Sequence, residues 1–235
     1  MPGIKIRIIK EIQEQYIIVS DMHILTNQSG QNKPDQYPGK KNNNTTKKQS
    51  FFIMGDLDIV SINQQLRQAS PEAIIRWALT QQKPTIVTTS FGKNAAALLH
   101  LSSKVDPQLP AVWIDTGYNL RDTYVVADKL MKRIPLDYHV FSPKMTSERR
   151  NATLGGIPTI EDEALHKDFT YQVKLEPFDR AIDQFKTEIW ITGIRQQDTE
   201  HRKTLDILSW DARGLLRVAP LFLSLIHISE PTRPY

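Results

Sequence analysis

Apolar runs and amphipathic stretches alternate along the chain, and this pattern predicts strands and helices in turn. Short apolar runs at residues 84–90, 111–115, 137–142, 188–194 and 215–221 are typical of buried strands. Helices are predicted between them, over residues 93–103, 119–132 and 177–185. Strands separated by helices favour a doubly wound α/β domain, whose mostly parallel sheet is covered by helices on both faces.

The helices carry more detailed predictions. A helix over residues 70–81 is predicted to begin at Ser70 as N-cap, with Pro71 at the first helical position. In the helix over 93–103, the residues predicted to face inward are Ala96, Leu99 and His100. In the helix over 119–132, the apolar residues at helical spacing are Val125, Val126, Leu130 and Met131.

Composition divides the chain into three parts. Residues 1–53 contain a long Asn- and Lys-rich tract, which predicts a disordered or non-native upstream extension with Met54 as the true start. The alternative is a genuine basic tail. Residues 54–222 form the predicted globular domain. Residues 223–235, LSLIHISEPTRPY, are predicted to be a non-native tail that replaces the natural C-terminal part.

Charge and cysteine content narrow the function classes. Residues 1–53 carry eight basic and four acidic residues, which accounts for the whole net charge of +4. The predicted domain is therefore charge-balanced, so no nucleic-acid partner is expected. The chain has no cysteine, and its six histidines lack ligand-like spacing, so no metal site is expected. No membrane span or secretory signal is predicted, and the cytoplasm is the expected location.

The residues that follow the predicted strands are candidates for a binding site. In open sheets of this type, ligands bind outside the carboxyl ends of the strands, where the strand order reverses. Residues 88–92, 115–118 and 193–195 follow three of the predicted strands and are rich in small, polar or charged side chains. We expect these three segments to converge.

The first segment has the features of an anion-binding turn. In TTSFGKNAAALLHL, Thr89 and Ser90 offer hydroxyl groups, and the turn at Phe91 and Gly92 leads into a helix start. Backbone N–H groups and the positive end of a helix dipole suit an anion there. The segment lacks a carboxylate of the kind that organises Mg²⁺. An ordinary strand–helix turn is the alternative.

The second segment is Asp115-Thr116-Gly117-Tyr118. Gly117 permits a close turn, and the Asp115 carboxylate is able to accept hydrogen bonds from a ribose or an adenine. The alternative role for Asp115 is a common one, the capping of the next helix.

Cations near the later strands complete the candidate set. Lys174 and Glu176 lie in VKLEPFDRA, where a bound anion would explain a lysine near a helix start. For Arg180 in the same stretch, a solvated helix face is an equally good explanation. Arg195 and Arg202 follow the fourth predicted strand, and an arginine fork suits a phosphate or a sulfate.

Five motifs in order resemble the phosphoadenosine phosphosulfate (PAPS) reductase family, which belongs to the adenine nucleotide alpha-hydrolase-like group. They are TTSFGKNAAALLHL, VWIDTGY, VKLEPFDRA, WITGIR and GLLRVAPL, and the resemblance covers residues 59–222. The substrate-binding residues that it implies are Thr89, Ser90, Phe91, Gly92, Asp115, Thr116, Gly117, Tyr118, Lys174, Glu176, Arg195, Arg202 and Arg217.

The resemblance also implies an activity and its limits. A PAPS reductase forms sulfite and adenosine 3′,5′-bisphosphate, with thioredoxin or glutaredoxin as electron donor and no tightly bound cofactor. The family's nucleophile is a cysteine in a C-terminal Glu-Cys-Gly-Leu/Ile-His motif, and this chain has none. Residues 168–173 also lack the paired cysteines of an iron–sulfur cluster. We expect a truncated, inactive member of the cluster-free subtype.

Departures from the family pattern keep alternatives open. Gln196 replaces a second arginine, which leaves open whether the substrate is PAPS or adenylyl sulfate. A nucleotide-binding member without reductase activity is one alternative. An ATP pyrophosphatase or sulfate adenylyltransferase subunit is disfavoured by Asn94 and Ala95, which replace the aspartate and serine of those enzymes. The oligomeric state stays open, with a homodimer as one option. Residues 146–168, with Gly155-Gly156, would suit a mobile segment over the site.

Overall fold

The computed structural model describes residues 57–159, 161–198 and 201–223. Its α-helices are α1 (Ile59–Leu66), α2 (Pro71–Thr80), α3 (Ala95–Val105), α4 (Arg121–Arg133), α5 (Ser147–Leu154), α6 (Glu163–Thr170) and α7 (Glu176–Phe185). A π-helical turn (Tyr171–Leu175) joins α6 to α7, and two short 3₁₀ turns (Gln196–Asp198 and His201–Thr204) follow β4. The strands are β1 (Thr85–Thr89), β2 (Pro110–Ile114), β3 (Asp137–Phe141), β4 (Ile189–Ile191), β5 (Leu208–Trp210) and β6 (Leu216–Val218). The predicted extension 1–53 and residues 224–235 of the predicted tail lie outside the described residues.

The six strands form one sheet in the order β3-β2-β1-β4-β6-β5. All neighbouring pairs are parallel except β5 with β6, which pair antiparallel. The chain moves outward from β1 through β2 to β3, and then returns to place β4 on the other side of β1. The predicted doubly wound, mostly parallel α/β architecture is therefore confirmed, with the reversal of strand order between β1 and β4.

Side chains that alternate along the central strands fill two cores, one on each face of the sheet. Val87 points into the larger core with residues of α2 and α3, whereas its neighbour Ile86 packs with Phe178 and Ala181 of α7 on the other face. A strand buried on both faces needs apolar residues at consecutive positions, which explains the continuous apolar run of β1.

The N-terminus of α2 is capped as the sequence predicts. The Ser70 side chain accepts a hydrogen bond from the Ala73 backbone N–H, and Pro71 opens the helix, both as predicted. Asp58 caps α1 in the same way, by accepting from the Ser61 backbone N–H.

Two helix faces differ from the prediction. In α3 the buried residues are Ala95, Leu98, Leu99 and Ser102, so Leu99 faces inward as expected, but Ala96 and His100 are exposed. The run AAALLHL is apolar around most of the helix, and the helix phase is set by how Leu98 and Leu99 dock on the sheet.

In α4, Leu130 and Met131 pack against the larger core, whereas Val125 and Val126 are each 41% exposed. The residue that α4 buries fully is Ala127, which carries only a methyl side chain and lets the helix approach the sheet closely. Ala127 was not predicted to be buried, because a methyl side chain contributes little to an apolar sequence pattern.

Two segments have secondary structure that was not predicted from the sequence. Strand β5 was not predicted because it has only three residues. It pairs with β6, and in the turn between them Asp211 accepts hydrogen bonds from the Arg213 and Leu215 backbone N–H groups. Residues 146–168 are not a loop throughout, because they contain α5 and the start of α6. In the described part of the chain, no helix is long and apolar enough to cross a membrane.

Candidate functional site

The reversal of strand order places the candidate site at the carboxyl ends of β1 and β4. The loop after β1 lies between the ends of β2 and β4, because β1 pairs in parallel with both strands. On one side, the ring of Phe91 meets the ring of Trp113 at the end of β2 edge to face, with 5.1 Å between centroids. On the other side, Lys93 Nζ lies 3.9 Å from the carboxylate of Asp198, which follows β4. The predicted segments after β1, β2 and β4 thus follow adjacent parallel strands at one edge of the sheet, and their convergence on a ligand stays a prediction.

The loop after β1 keeps a conformation that favours glycine, although it contains a phenylalanine. Phe91 has a φ of +52°, in the left-handed region, and its side chain is only 5% exposed. The Thr89 hydroxyl accepts a hydrogen bond from the Phe91 backbone N–H at 3.0 Å and closes the turn. Burial of the aromatic ring therefore holds a backbone shape that this residue type disfavours, and Ser90 and Gly92 stay exposed beside it.

The segment after β2 is a compact turn built on Asp115. Gly117 has a φ of +76°, and a Cβ atom there would lie 3.4 Å from the Cβ of Ser147 in α5. The Gly117 backbone N–H donates to Asp115 Oδ1 at 3.0 Å, and the Tyr118 backbone N–H donates to the Thr116 hydroxyl at 3.2 Å. The alternative role of Asp115 as a helix cap is wrong, because the N-cap of α4 is Leu120.

Helix α5 covers this turn and is itself held by a buried arginine. The Tyr118 hydroxyl lies 2.8 Å from Asn151 Oδ1, and the Tyr118 ring packs against Phe169. Arg150 is 5% exposed, lies 4.4 Å above the Phe169 ring and donates to the carbonyl oxygens of residues 155 and 156. The segment proposed as a mobile cover thus contacts the Asp115 turn, and its mobility stays a prediction.

The segment after β4 places two buried arginines on one carboxylate. Arg195 and Arg202 are 4% and 7% exposed, and both donate to Asp198. The two arginines were predicted from the sequence as site residues, but Asp198 was not. The signal was present, because Asp198 lies three residues after Arg195 and four residues before Arg202. At Gly193, a Cβ atom would lie 3.4 Å from a methyl group of Leu98 in α3, so the loop packs directly on the helix that follows β1.

The remaining candidates lie on the α7 face of the sheet. Lys174 is half-buried in the π-helical turn that precedes α7, a distortion that often marks functional sites. Glu176 Oε1 accepts from Arg180 Nε at 3.0 Å and pairs with Lys144 at 2.9 Å. Arg180 also donates to the Ser142 carbonyl oxygen, so contacts within the protein account for it.

Arg217 lies in the middle of β6, buried, and its Nε donates to the Ser209 hydroxyl of β5 at 3.0 Å. It is thus tied to the far edge of the sheet. The roles of all thirteen named residues in substrate binding stay predictions.

A separate groove lies away from these residues. Its volume is about 460 Å³, and it is lined by α1, the second 3₁₀ turn and β5. No predicted site residue lines it, and its charged lining residues, Arg67 and Asp206, already pair with each other at 2.6 Å. The carboxyl edge of β1 and β4 therefore remains the candidate site.

Comparisons with known proteins identify the family of this chain. Residues 84–224 match the family model of the phosphoadenosine phosphosulfate reductase domain. The chain is 33% identical over 151 residues to a phosphoadenosine 5′-phosphosulfate reductase of Synechococcus sp., a match covering 64% of this chain and 65% of that protein. It is 34% identical over 172 residues to the protein of the same name from Synechocystis sp., covering 67% of this chain and 69% of that one. The match to the Synechococcus sp. protein thus stops short of two thirds of its length.

A solved structure shows the same fold. The crystal structure of phosphoadenylyl-sulfate (PAPS) reductase from Candida auris, in a phosphate complex, superimposes with a TM-score of 0.62 at 22% identity. The superposition covers 72% of this chain and 81% of that one. Since the family model matches more than half of the residues, the chain belongs to the phosphoadenosine phosphosulfate reductase domain family.

Proposed function

We propose that this chain binds a sulfonated adenine nucleotide between β1 and β4, as the nucleotide-binding part of a PAPS reductase. The observation that carries the proposal is the cluster of Lys93, Arg195 and Arg202 around Asp198, in a chain of this family. The three cationic side chains lie together at the carboxyl edge of β1 and β4, and two of them are buried. A phosphate or sulfonate group there would accept charge-assisted hydrogen bonds from them.

The distribution of charge supports one orientation of the nucleotide. The cations lie at the ends of β1 and β4, whereas the carboxylate of Asp115 lies at the end of β2, on the other side of the loop that contains Phe91. A carboxylate repels anionic groups but accepts from hydroxyl and amino groups. In the proposed orientation, the anionic groups of the ligand therefore lie toward β4 and the nucleoside lies toward β2.

The loop after β1 argues against Mg-ATP as the substrate. Asn94 precedes α3 as N-cap and Ala95 is the first helical residue, and neither carries the carboxylate that Mg²⁺ favours. Hydrolysis or adenylation with Mg-ATP by the purified chain would restore the pyrophosphatase alternative.

The proposed reaction of the whole protein is the reduction of PAPS to sulfite and adenosine 3′,5′-bisphosphate, with thioredoxin or glutaredoxin as electron donor. The nucleophile of such a reaction is a cysteine thiolate, and these 235 residues contain no cysteine. We expect the 235-residue chain to bind the nucleotide without reducing it, and no iron–sulfur cluster takes part in the proposal.

The absence of cysteine also favours a second candidate, a nucleotide-binding family member that performs no reduction. The coding sequence beyond position 222 discriminates between the two. A Glu-Cys-Gly-Leu/Ile-His ending supports the reductase, and an ending without cysteine supports the second candidate.

Calorimetric titration of the chain with adenosine 3′,5′-bisphosphate tests the nucleotide site common to both candidates. Lys174→Ala and Arg195→Ala are each expected to weaken binding by about 1.5–3 kcal/mol, the contribution of a hydrogen bond to a charged group. Lys83→Ala is the matched control, because Lys83 pairs with Glu188 beside the amino ends of the strands. Adenosine 5′-monophosphate, titrated in parallel, measures what the 3′-phosphate contributes.

A folded wild-type chain that binds neither nucleotide would refute the proposed function. Equal affinity of Lys174→Ala, Arg195→Ala and Lys83→Ala would refute the location. Thermal unfolding of each variant shows whether it is folded at the temperature of the titration.

A further inference from the structure

One oxygen of the Asp115 side chain is held by three donors. Asp115 Oδ1 accepts from the Gly117 backbone N–H at 3.0 Å, from Asn119 Nδ2 at 3.0 Å and from the Tyr124 hydroxyl at 2.8 Å. A carboxylate oxygen offers two lone pairs, so three donors use its whole accepting capacity. The donors come from the turn, from Asn119 two residues before α4, and from the first turn of α4.

This arrangement leaves the second oxygen as the remaining acceptor. All the hydrogen bonds that the described residues make to the Asp115 side chain end on Oδ1. The carboxylate is half-buried at the carboxyl end of β2, and its plane is fixed by the three donors. Oδ2 is thus an oriented acceptor at the edge of the site, suited to a neutral donor such as a hydroxyl or an exocyclic amine.

Tyr124 differs from the other two donors because it also touches the wall of the site. Its ring packs on Trp113 with 5.8 Å between centroids, and Trp113 packs on Phe91 at 5.1 Å. The row Phe91–Trp113–Tyr124 therefore connects the left-handed turn after β1 to the Asp115 carboxylate. Aromatic rings have few rotatable bonds, so such a row fixes the distance between the two segments.

We propose that Tyr124 is a positioning residue, which aims Asp115 Oδ2 at a hydroxyl or amino group of the nucleoside. The inference rests on the proposed nucleotide site and assigns it a residue that the sequence motifs did not. Tyr124 acts through Asp115 and does not itself touch the ligand. Loss of the Tyr124 hydroxyl should therefore remove the contribution of one ligand donor group to the binding free energy, while the contributions of the other groups are kept.

Three probes test this role: adenosine 3′,5′-bisphosphate, its 2′-deoxy analogue and inosine 3′,5′-bisphosphate, which lacks the amino group. The wild-type chain is expected to bind one of the two analogues roughly tenfold more weakly than the parent, because a donor to a charged oxygen is missing. Tyr124→Phe is expected to bind the parent roughly fivefold more weakly and to discriminate that analogue by less than about threefold, since the two groups are coupled.

The control is Tyr138→Phe, which removes the buried hydroxyl of a half-buried tyrosine on β3; this hydroxyl has no hydrogen-bond partner among the described residues. It should keep the wild-type affinities and the wild-type discrimination. Asp115→Asn should lose the same discrimination as Tyr124→Phe, and the double variant should lose no more than either single variant.

The outcomes separate the inference from the proposed function. If the wild-type chain binds and Tyr124→Phe weakens the parent and both analogues equally, the hydroxyl is merely structural and the inference is overturned. Unchanged discrimination in Tyr124→Phe overturns it as well. If the folded wild-type chain binds none of the three probes, the proposed function and the inference both fall.

Discussion

Asp198 accepts both the backbone N–H and the guanidinium of Arg195, at 3.1 and 3.0 Å. The same carboxylate accepts from Arg202 at 2.9 Å. Two buried guanidinium groups thus share this carboxylate, which is itself 14% exposed. Taking charges out of water is costly, and the shared carboxylate offsets part of that cost for both cations. The cluster therefore ties the local stability of the segment after β4 to its affinity for anions.

Asp198→Asn should destabilise the protein by about 3 kcal/mol, because it removes a charged partner that two buried cations share. Urea unfolding monitored by circular dichroism measures the loss. Added phosphate should restore more stability to this variant than to the wild type, since the anion takes the place of the carboxylate charge. Glu72→Gln is the control, because it breaks an exposed pair with Arg76 and should cost less than about 0.5 kcal/mol. A loss as small as that of the control would show that Asp198 does not neutralise the arginines.

At Phe91, replacement by glycine should destabilise the protein less than replacement by alanine, which is the reverse of the usual order. Phe91→Ala removes a buried ring and keeps a residue that disfavours a φ of +52°, so a loss of about 3 kcal/mol is expected. Phe91→Gly removes the ring too but adopts this φ without strain, so it should be about 1 kcal/mol more stable than Phe91→Ala. At Phe178, a buried residue of α7, the order should be the ordinary one, with glycine the less stable. The midpoints of urea unfolding of the four variants measure these stabilities. If the alanine variant is the more stable one at Phe91 as well as at Phe178, the backbone at Phe91 is not strained.

The fold was predictable to the extent that it depends on residue periodicity and strand ends. The apolar run of β1 and the capping at Ser70 carry their signal within a few positions, and both predictions were confirmed. The binding role of the residues after the strands stays a prediction. The phases of α3 and α4 were not predictable in the same way. Which side of an alanine-rich helix is buried depends on the surface it meets, as Ala127 shows.

The site was predictable residue by residue but not as a set of contacts. Asp115 was found because it ends a strand, whereas its partner Tyr124 lies nine positions later on a helix face that only the docked α4 brings close. Asp198 lies between the two arginines in the sequence, but its role as their shared carboxylate depends on their burial, which could not be predicted from the sequence. Charge pairs between segments distant in sequence are set by tertiary geometry.

Arg150 should stabilise α5, whereas its neighbour Arg149 should not. Arg150 is buried and bonded to two carbonyl oxygens and Gln172, and Arg149 is exposed on the same helix. Arg150→Ala should lower the local free energy of opening by about 2 kcal/mol, because charge-assisted hydrogen bonds and a ring contact are lost. Hydrogen exchange of the α5 amides measures this directly. Arg149→Ala is the matched control, and equal protection of α5 in both variants would refute the assignment.

The pKa of Tyr124 lies above its ordinary value of 10.0, first because partial burial of the residue, which stays 36% exposed, disfavours the phenolate, and then because of the hydrogen bond to Asp115 and its charge. A raised pKa means that the folded protein holds the phenolic proton more tightly than the unfolded chain does. The stability from this group is therefore fully present below about pH 10 and is lost as pH rises through the folded pKa.

Tyr124→Phe should accordingly flatten the fall in unfolding free energy above about pH 10, while leaving the curve at neutral pH displaced by a constant amount. Asp115→Asn should lower the pKa of Tyr124 but keep it above 10.0, because burial is the larger cause. Ultraviolet titration of the phenolate, with Tyr124→Phe as the difference reference, follows this single group; Tyr138, whose pKa burial also raises, is present in both samples. A pKa that returns to its ordinary value in Asp115→Asn would mean that the carboxylate, rather than burial, governs the proton on Tyr124.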